Sequence, residues 1–95
     1  MSKPKTERYA NVWDAIAHKP EEAANLRVRA ELMDKIAAIV EVSSWTQAEA
    51  AGNCGLTQPR INELLRGRIS RFSLDALVNI ASALGKRVQV KLMAA

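Results

Sequence analysis

The chain of 95 residues has one cysteine, one histidine and four aromatic side chains, and no run approaching the roughly 18 apolar residues that a membrane span needs. A single cysteine, Cys54, excludes a disulfide within the chain and fits a reducing compartment. One histidine, His18, and ten Asp/Glu scattered along the sequence form no cluster resembling a metal site or a catalytic triad. With no nucleophile–base pair visible, neither an enzyme nor a cofactor is expected. So few aromatics argue against an RNA binder, because unpaired bases are held by stacking on exposed rings. Residues 1–13 carry charges that no apolar block follows, so a secretory signal is not expected and a cytoplasmic protein is. Acidic residues nearly vanish from the second half: residues 51–95 hold seven Lys/Arg against Glu63 and Asp75, a net of +5. Residues 1–50 hold seven against eight, a net of −1. That imbalance suits a polyanionic partner for the second half. A solvated basic surface gives the same count, so the placement of the charges must decide.

What is present is an ordinary globular balance, 48% apolar and 25% charged, in a length that makes one small domain with a thin core. Residues 1–10 are polar and without periodicity and read as a flexible tail. Over residues 11–19 a short helix is expected, capped by Asn11 and ended by Pro20, with Val12, Trp13, Ile16 and Ala17 on one side. Pro20 suits the first turn of a second, long helix to about Val42, helped by Glu21 and Glu22 at the positive end of its dipole. Its apolar stripe runs Leu26, Ala30, Met33, Ala37 and Val40, widened by Leu32, Ile36 and Ile39.

After Ser43 and Ser44, Thr46 and Glu49 have capping-box spacing and open a short helix from Gln47 to about Asn53, which Gly55 ends. Trp45, just before the cap, reads as a hydrophobic staple. Thr57 caps the next helix, Gln58 to about Arg66, with Pro59 in its first turn and Ile61, Leu64 and Leu65 facing inward. Ser73 caps a last helix whose inner face is Leu74, Leu77, Val78, Ala81 and Leu84, ended by Gly85. The closing residues Arg87 to Leu92 alternate polar and apolar, the pattern of a strand. A lone strand leaves its backbone groups unpaired. Pairing Val88, Val90 and Leu92 with the same strand of a second copy across a twofold axis resolves that. A frayed tail and pairing with the amino-terminal segment are the alternatives.

Residues 46–65 therefore form two short helices joined by a tight turn, the layout of a helix-turn-helix. Ala51 is small where the helices cross, Gly55 makes the turn, and Ile61 packs the second helix back on the first. Ala50, Cys54, Leu56 and Leu64 complete the apolar set, with Cys54 read as core and not as a redox group.

At this point Thr46-Gln47-Ala48-Glu49-Ala50-Ala51, Gly55-Leu56-Thr57-Gln58-Pro59-Arg60-Ile61 and Leu64-Leu65-Arg66-Gly67 resemble the Cro and lambda-repressor (XRE) type of helix-turn-helix domain. The likeness continues through Phe72-Ser73-Leu74-Asp75-Ala76-Leu77 and spans roughly residues 22–84. Within that family, Asn11-Val12-Trp13-Asp14-Ala15-Ile16 and a closing strand in place of a fifth helix are most similar to the small antitoxins of RelE/HigB-type toxins. The resemblance implies a mainly all-α, four- to five-helix domain over residues 20–85 and a carboxy-terminal dimerisation strand over 86–95. It further implies a bacterial transcriptional repressor bound to double-stranded operator DNA, acting as the antitoxin that represses its own operon. A stand-alone phage-like repressor, and an interaction module that neutralises a toxin with little DNA binding, remain the alternatives.

In such domains the second motif helix enters the major groove, and a dimer spans half-sites about 34–36 Å apart. With its apolar side inward, Pro59, Asn62, Glu63 and Arg66 point outward, flanked by Gln58 and Arg60. Gln58 and Asn62 match the donor–acceptor pair of adenine, Arg60 can read guanine, and Glu63 can accept from cytosine. Glu63 can equally be a solvated partner of Arg60 or Arg66. Pro59 offers only an apolar contact to a thymine methyl. By resemblance, Gln47 touches phosphate and braces Gln58. Arg66, Arg68 and Arg71 lie where the DNA backbone should pass, with the amides of residues 70–73 beside them. Trp13 and Ile16, outside the motif, are either packed within the chain or an anchor for a partner protein such as a basic toxin.

Overall fold

The computed structural model describes residues 19–94. Along them run α1 (Pro20–Val42), α2 (Gln47–Cys54), α3 (Gln58–Leu65), a 3-10 turn (Ile69–Arg71) and α4 (Leu74–Ala83). Each start has a local cause. Proline in the first turn of α1 forfeits no helical hydrogen bond, and Glu21 and Glu22 complement the dipole where no side chain caps it. At α2 the expected capping box is present: Glu49 donates its amide to Thr46 Oγ1 at 3.1 Å, and the Thr46 amide donates to Glu49 Oε1 at 2.9 Å. Thr57 Oγ1 accepts from the Arg60 amide at α3, and Ser73 Oγ from the Ala76 amide at α4.

The ends are equally local. α1 stops at Ser43, whose hydroxyl and amide both donate to the Ile39 carbonyl, and Ser44 takes a φ of 58°. α2 closes on Gly55 at φ 70°: its amide donates to the Gly52 carbonyl and the Leu56 amide to the Ala51 carbonyl. That pair of bonds is the Schellman closure and needs the left-handed backbone that glycine adopts without strain.

α1 and α4 pack together on one side and α2 and α3 on the other, with the 3-10 turn against α1. The largest fully buried side chains are Phe72, Ile36, Ile61, Leu64 and Leu77, drawn from α1, α3, α4 and the segment before α4. Each contributes about 1.5–3 kcal/mol by leaving water, enough in sum to fix short helices that are marginal alone. Ala51 is 4% exposed and Ile61 0%, as expected for the crossing of α2 with α3. Trp45 packs against the same core, and Cys54 lies inside it.

Two expectations are corrected, and the closing strand is not formed in the single chain. Leu65 is exposed, because it follows the buried Leu64 by one residue in the last turn of α3. On α4 the buried residues are Leu77, Ile80 and Ala81, with Leu84 partly buried; this i, i+3, i+4, i+7 set leaves Val78 on the flank. Among the described residues there is no strand: residues 86–94 form no regular element, Val88 is half-buried, and Val90 and Leu92 are 81% and 95% exposed. A strand exists only as one side of a ladder, and nothing else described in this chain supplies the other. The expected helix over 11–19 lies outside the described residues up to Lys19, as do Trp13, Ile16 and His18.

Candidate nucleic-acid interface

The buried side of α3 decides what the helix shows. Ile61 and Leu64 are 0% and 1% exposed, pinning the helix against α2 and the core. At 100° per residue the opposite side then carries Pro59, Asn62, Glu63 and Arg66, with Gln58 on its flank; Gln58, Pro59, Asn62 and Arg66 are exposed and Glu63 half-buried. Gln47, the first residue of α2, is exposed as well. Beyond α3 the chain turns at Gly67 and presents Arg68 and Arg71, both exposed. The expected polar ridge and its flanking cations are therefore brought together on one continuous stretch, residues 58–71.

Two members of the set are held differently from the sequence expectation. Arg60 does not project freely: its guanidinium lies 4.1 Å from the Phe72 ring centroid. One of its nitrogens donates to the Arg71 carbonyl at 2.9 Å and meets Glu63 Oε1 at 3.3 Å. Glu63 is an ion-pair partner, of Arg60 as expected but also of Arg71, through Oε2 at 3.5 Å, in place of Arg66. The acid among these cations is thus paired within the face. Two of the amides expected to meet phosphate, at Arg71 and Phe72, are satisfied instead by the Arg68 and Ile69 carbonyls of the 3-10 turn.

One residue of this neighbourhood was not singled out in the sequence. Arg29 of α1 donates to the Phe72 carbonyl at 3.1 Å and approaches the Ile69 carbonyl at 3.5 Å. Its Nε donates to Asn25 Oδ1 at 2.7 Å. A signal existed: Arg29 heads the series 29, 33, 36, 40, whose other members Met33, Ile36 and Val40 are buried. A cation on the core-facing row of a helix must find acceptors.

Burial pushes the Cys54 thiol up, which disfavours the thiolate and with it nucleophilic or redox chemistry. No group of three or more His, Cys, Asp or Glu among the described residues can hold a metal ion. No described helix is long and apolar enough to cross a membrane. Compared with known protein families, residues 15–93 match one described as a helix-turn-helix domain. A search of curated proteins found no match.

Proposed function

Because the chain belongs to a family of helix-turn-helix domains, we propose that it is a sequence-specific DNA-binding repressor whose α3 enters the major groove of a duplex. The observation that carries the reading is the pinning of α3 by Ile61 and Leu64, which turns Gln58, Asn62 and Arg66 outward beside Arg68 and Arg71. Gln58 and Asn62 read base edges, Pro59 touches a thymine methyl, and Gln47, Arg66, Arg68 and Arg71 hold the backbone. No catalytic role is assigned to any residue.

The reading includes a dimer. Val90 and Leu92 alternate with Gln89 and Lys91 and lie almost wholly in water in the single chain, as does Met93 at 78% exposure. Pairing residues 87–92 with a second copy covers those side chains and the unpaired backbone groups together. Two-fold pairing also places two α3 helices for two half-sites.

The narrower assignment, an XRE-type antitoxin that represses its own operon in the bacterial cytoplasm, is supported by the resemblance of residues 11–16 and by the net acidity of the first half. Trp13 and Ile16 are then the anchors for a basic toxin of the RelE/HigB type.

A gel shift on DNA from upstream of its own gene, repeated across salt concentrations, tests the proposal. Three exposed arginines per subunit, Arg66, Arg68 and Arg71, give a dimer a log–log salt slope near about −5. No retardation at about 100 mM salt, where non-specific contacts already persist, overturns the reading. Retardation with a slope of about −3 overturns the dimer.

A further inference from the structure

We propose that Arg60 and Arg29 are positioning residues of this face: two guanidinium groups that clamp the segment 69–72 to α3 and α1, with Arg60 reading no base. The proposal rests on the duplex-binding reading above and assigns roles within it.

A three-residue 3-10 turn is a weak element with poor hydrogen-bond geometry, and its own amides reach the Arg68 and Ile69 carbonyls but not those of Arg71 and Phe72. Here two arginines from two different helices supply the missing donors. Arg60 takes the Arg71 carbonyl at 2.9 Å and Arg29 the Phe72 carbonyl at 3.1 Å; Arg29 also adds a second, longer contact at 3.5 Å to the Ile69 carbonyl, which already accepts from the Phe72 amide. Asn25 orients Arg29 from one turn earlier in α1. Phe72 is gripped twice, its carbonyl by Arg29 and its ring by the Arg60 guanidinium stacked 4.1 Å above it. The ring is 1% exposed, so that guanidinium is part of its cover.

For Arg60 to reach a guanine it would have to give up the charge-assisted bond, the ring stack and the Glu63 ion pair together, and uncover Phe72. Held where it is, it ties the first turn of α3 to the segment that presents Arg68 and Arg71. Glu63 completes the link, with one oxygen on Arg60 and the other on Arg71. Arg71 keeps 61% of its side chain in solvent, so its remaining donors are available to phosphate from a fixed base. The clamps set the distance between the groove-entering edge and the phosphate grip. Loosening them weakens binding to every duplex without altering which bases are preferred.

The experiment selects preferred sites from a randomised duplex pool with the full chain and with Arg60→Met, Arg60→Lys, Arg29→Met and, as a reader for comparison, Asn62→Ala. Affinities are then measured on the wild-type preferred site and on unrelated duplex. Arg60→Met keeps an apolar cover over Phe72 while removing the donors. The expected result is that Arg60→Met and Arg29→Met select the wild-type bases at every position and lose about tenfold on both duplexes alike. Their salt slopes become shallower by about one per subunit as Arg71 loses its fixed base. Arg60→Lys recovers part of the loss, and Asn62→Ala alone changes the preferred base at one position. Amide exchange speeds at Arg71 and Phe72 in both clamp variants but not at Ile80 or Ala81, which separates release of the segment from unfolding. A changed base preference in Arg60→Met, with affinity for unrelated duplex intact, makes Arg60 a reader and overturns the proposal. Unchanged affinity and exchange in Arg29→Met overturns it for Arg29. Failure of the wild-type chain to bind any duplex overturns the DNA-binding reading itself, an outcome the variants alone cannot produce.

Discussion

Two glycines three residues apart, Gly52 within α2 and Gly55 just after it, should respond to the same substitution with opposite signs. A methyl group at either position meets no neighbouring side chain or distant backbone within 4 Å, so packing is removed from the comparison. At Gly52 the backbone is helical, and Gly52→Ala should stabilise the fold by about 0.5–1 kcal/mol through the smaller entropy of the unfolded chain. The same entropic gain, about 0.4–1 kcal/mol, accompanies Gly55→Ala. There it is opposed by about 1–2 kcal/mol for placing a Cβ in the left-handed region at φ 70°. The net is a loss of about 1 kcal/mol, and Gly55→Asn should lose less, since its side chain tolerates that region. Urea unfolding followed by far-ultraviolet circular dichroism reads both. Midpoints should move in opposite directions at unchanged slope, and melting temperatures should part by roughly 4–8 °C per kcal/mol. A neutral or stabilising Gly55→Ala would refute the argument, because the α2–α3 turn would then not depend on a left-handed residue.

Ile61→Ala, emptying a site that is 0% exposed beneath α3, should cost about 2–5 kcal/mol in the same assay, and Ile61→Val only about 0.5–1.5 kcal/mol. Arg68→Ala should weaken preferred and unrelated duplexes by the same factor and make the salt slope shallower by about one per subunit, as measured by fluorescence anisotropy. Glu63→Gln, which breaks the ionic link between Arg60 and Arg71, should weaken preferred and unrelated duplexes alike by a few-fold; selective loss on one site would instead show a cytosine contact. Since burial raises the Cys54 thiol, the folded chain keeps its proton to higher pH than the unfolded chain does. Its contribution is full below the ordinary thiol value of about 8.5 and is lost as pH rises through the raised folded value. Urea stability compared between wild type and Cys54→Ala across that interval should converge toward alkaline pH.

The helix ends were legible because they are written locally. Thr46 with Glu49, Thr57, Ser73 and Gly55 each act on backbone within a turn, and the observed elements begin and end at or beside the expected residues. The polar edge of α3 was legible for a related reason: once Ile61 is inward, geometry assigns the other side. The inner face of α4 was read partly wrong, because Leu74, Leu77, Val78, Ile80 and Ala81 offer more apolar residues than one face can bury. Packing of α4 against α1 and α2 selects Ile80 over Val78. The row 29, 33, 36, 40 marks Arg29 as a cation on the core side of α1, but its acceptors, 40 and 43 positions away, leave no trace in the sequence, and neither does the Arg60–Phe72 stack across 12 positions. The closing alternation states which side chains share a face but not what lies against them. In the single chain Val90 and Leu92 have no cover.

The most direct test is a nuclear magnetic resonance titration of the isotopically labelled full chain with the duplex it retards, following each backbone amide. The account predicts shifts concentrated at the amides of Gln47, Gln58, residues 60–62 and residues 66–73, with the α1 amides from Glu31 to Ala38 unmoved. Shifts centred on α1, with Gln58 and Asn62 undisturbed at saturation, would contradict it.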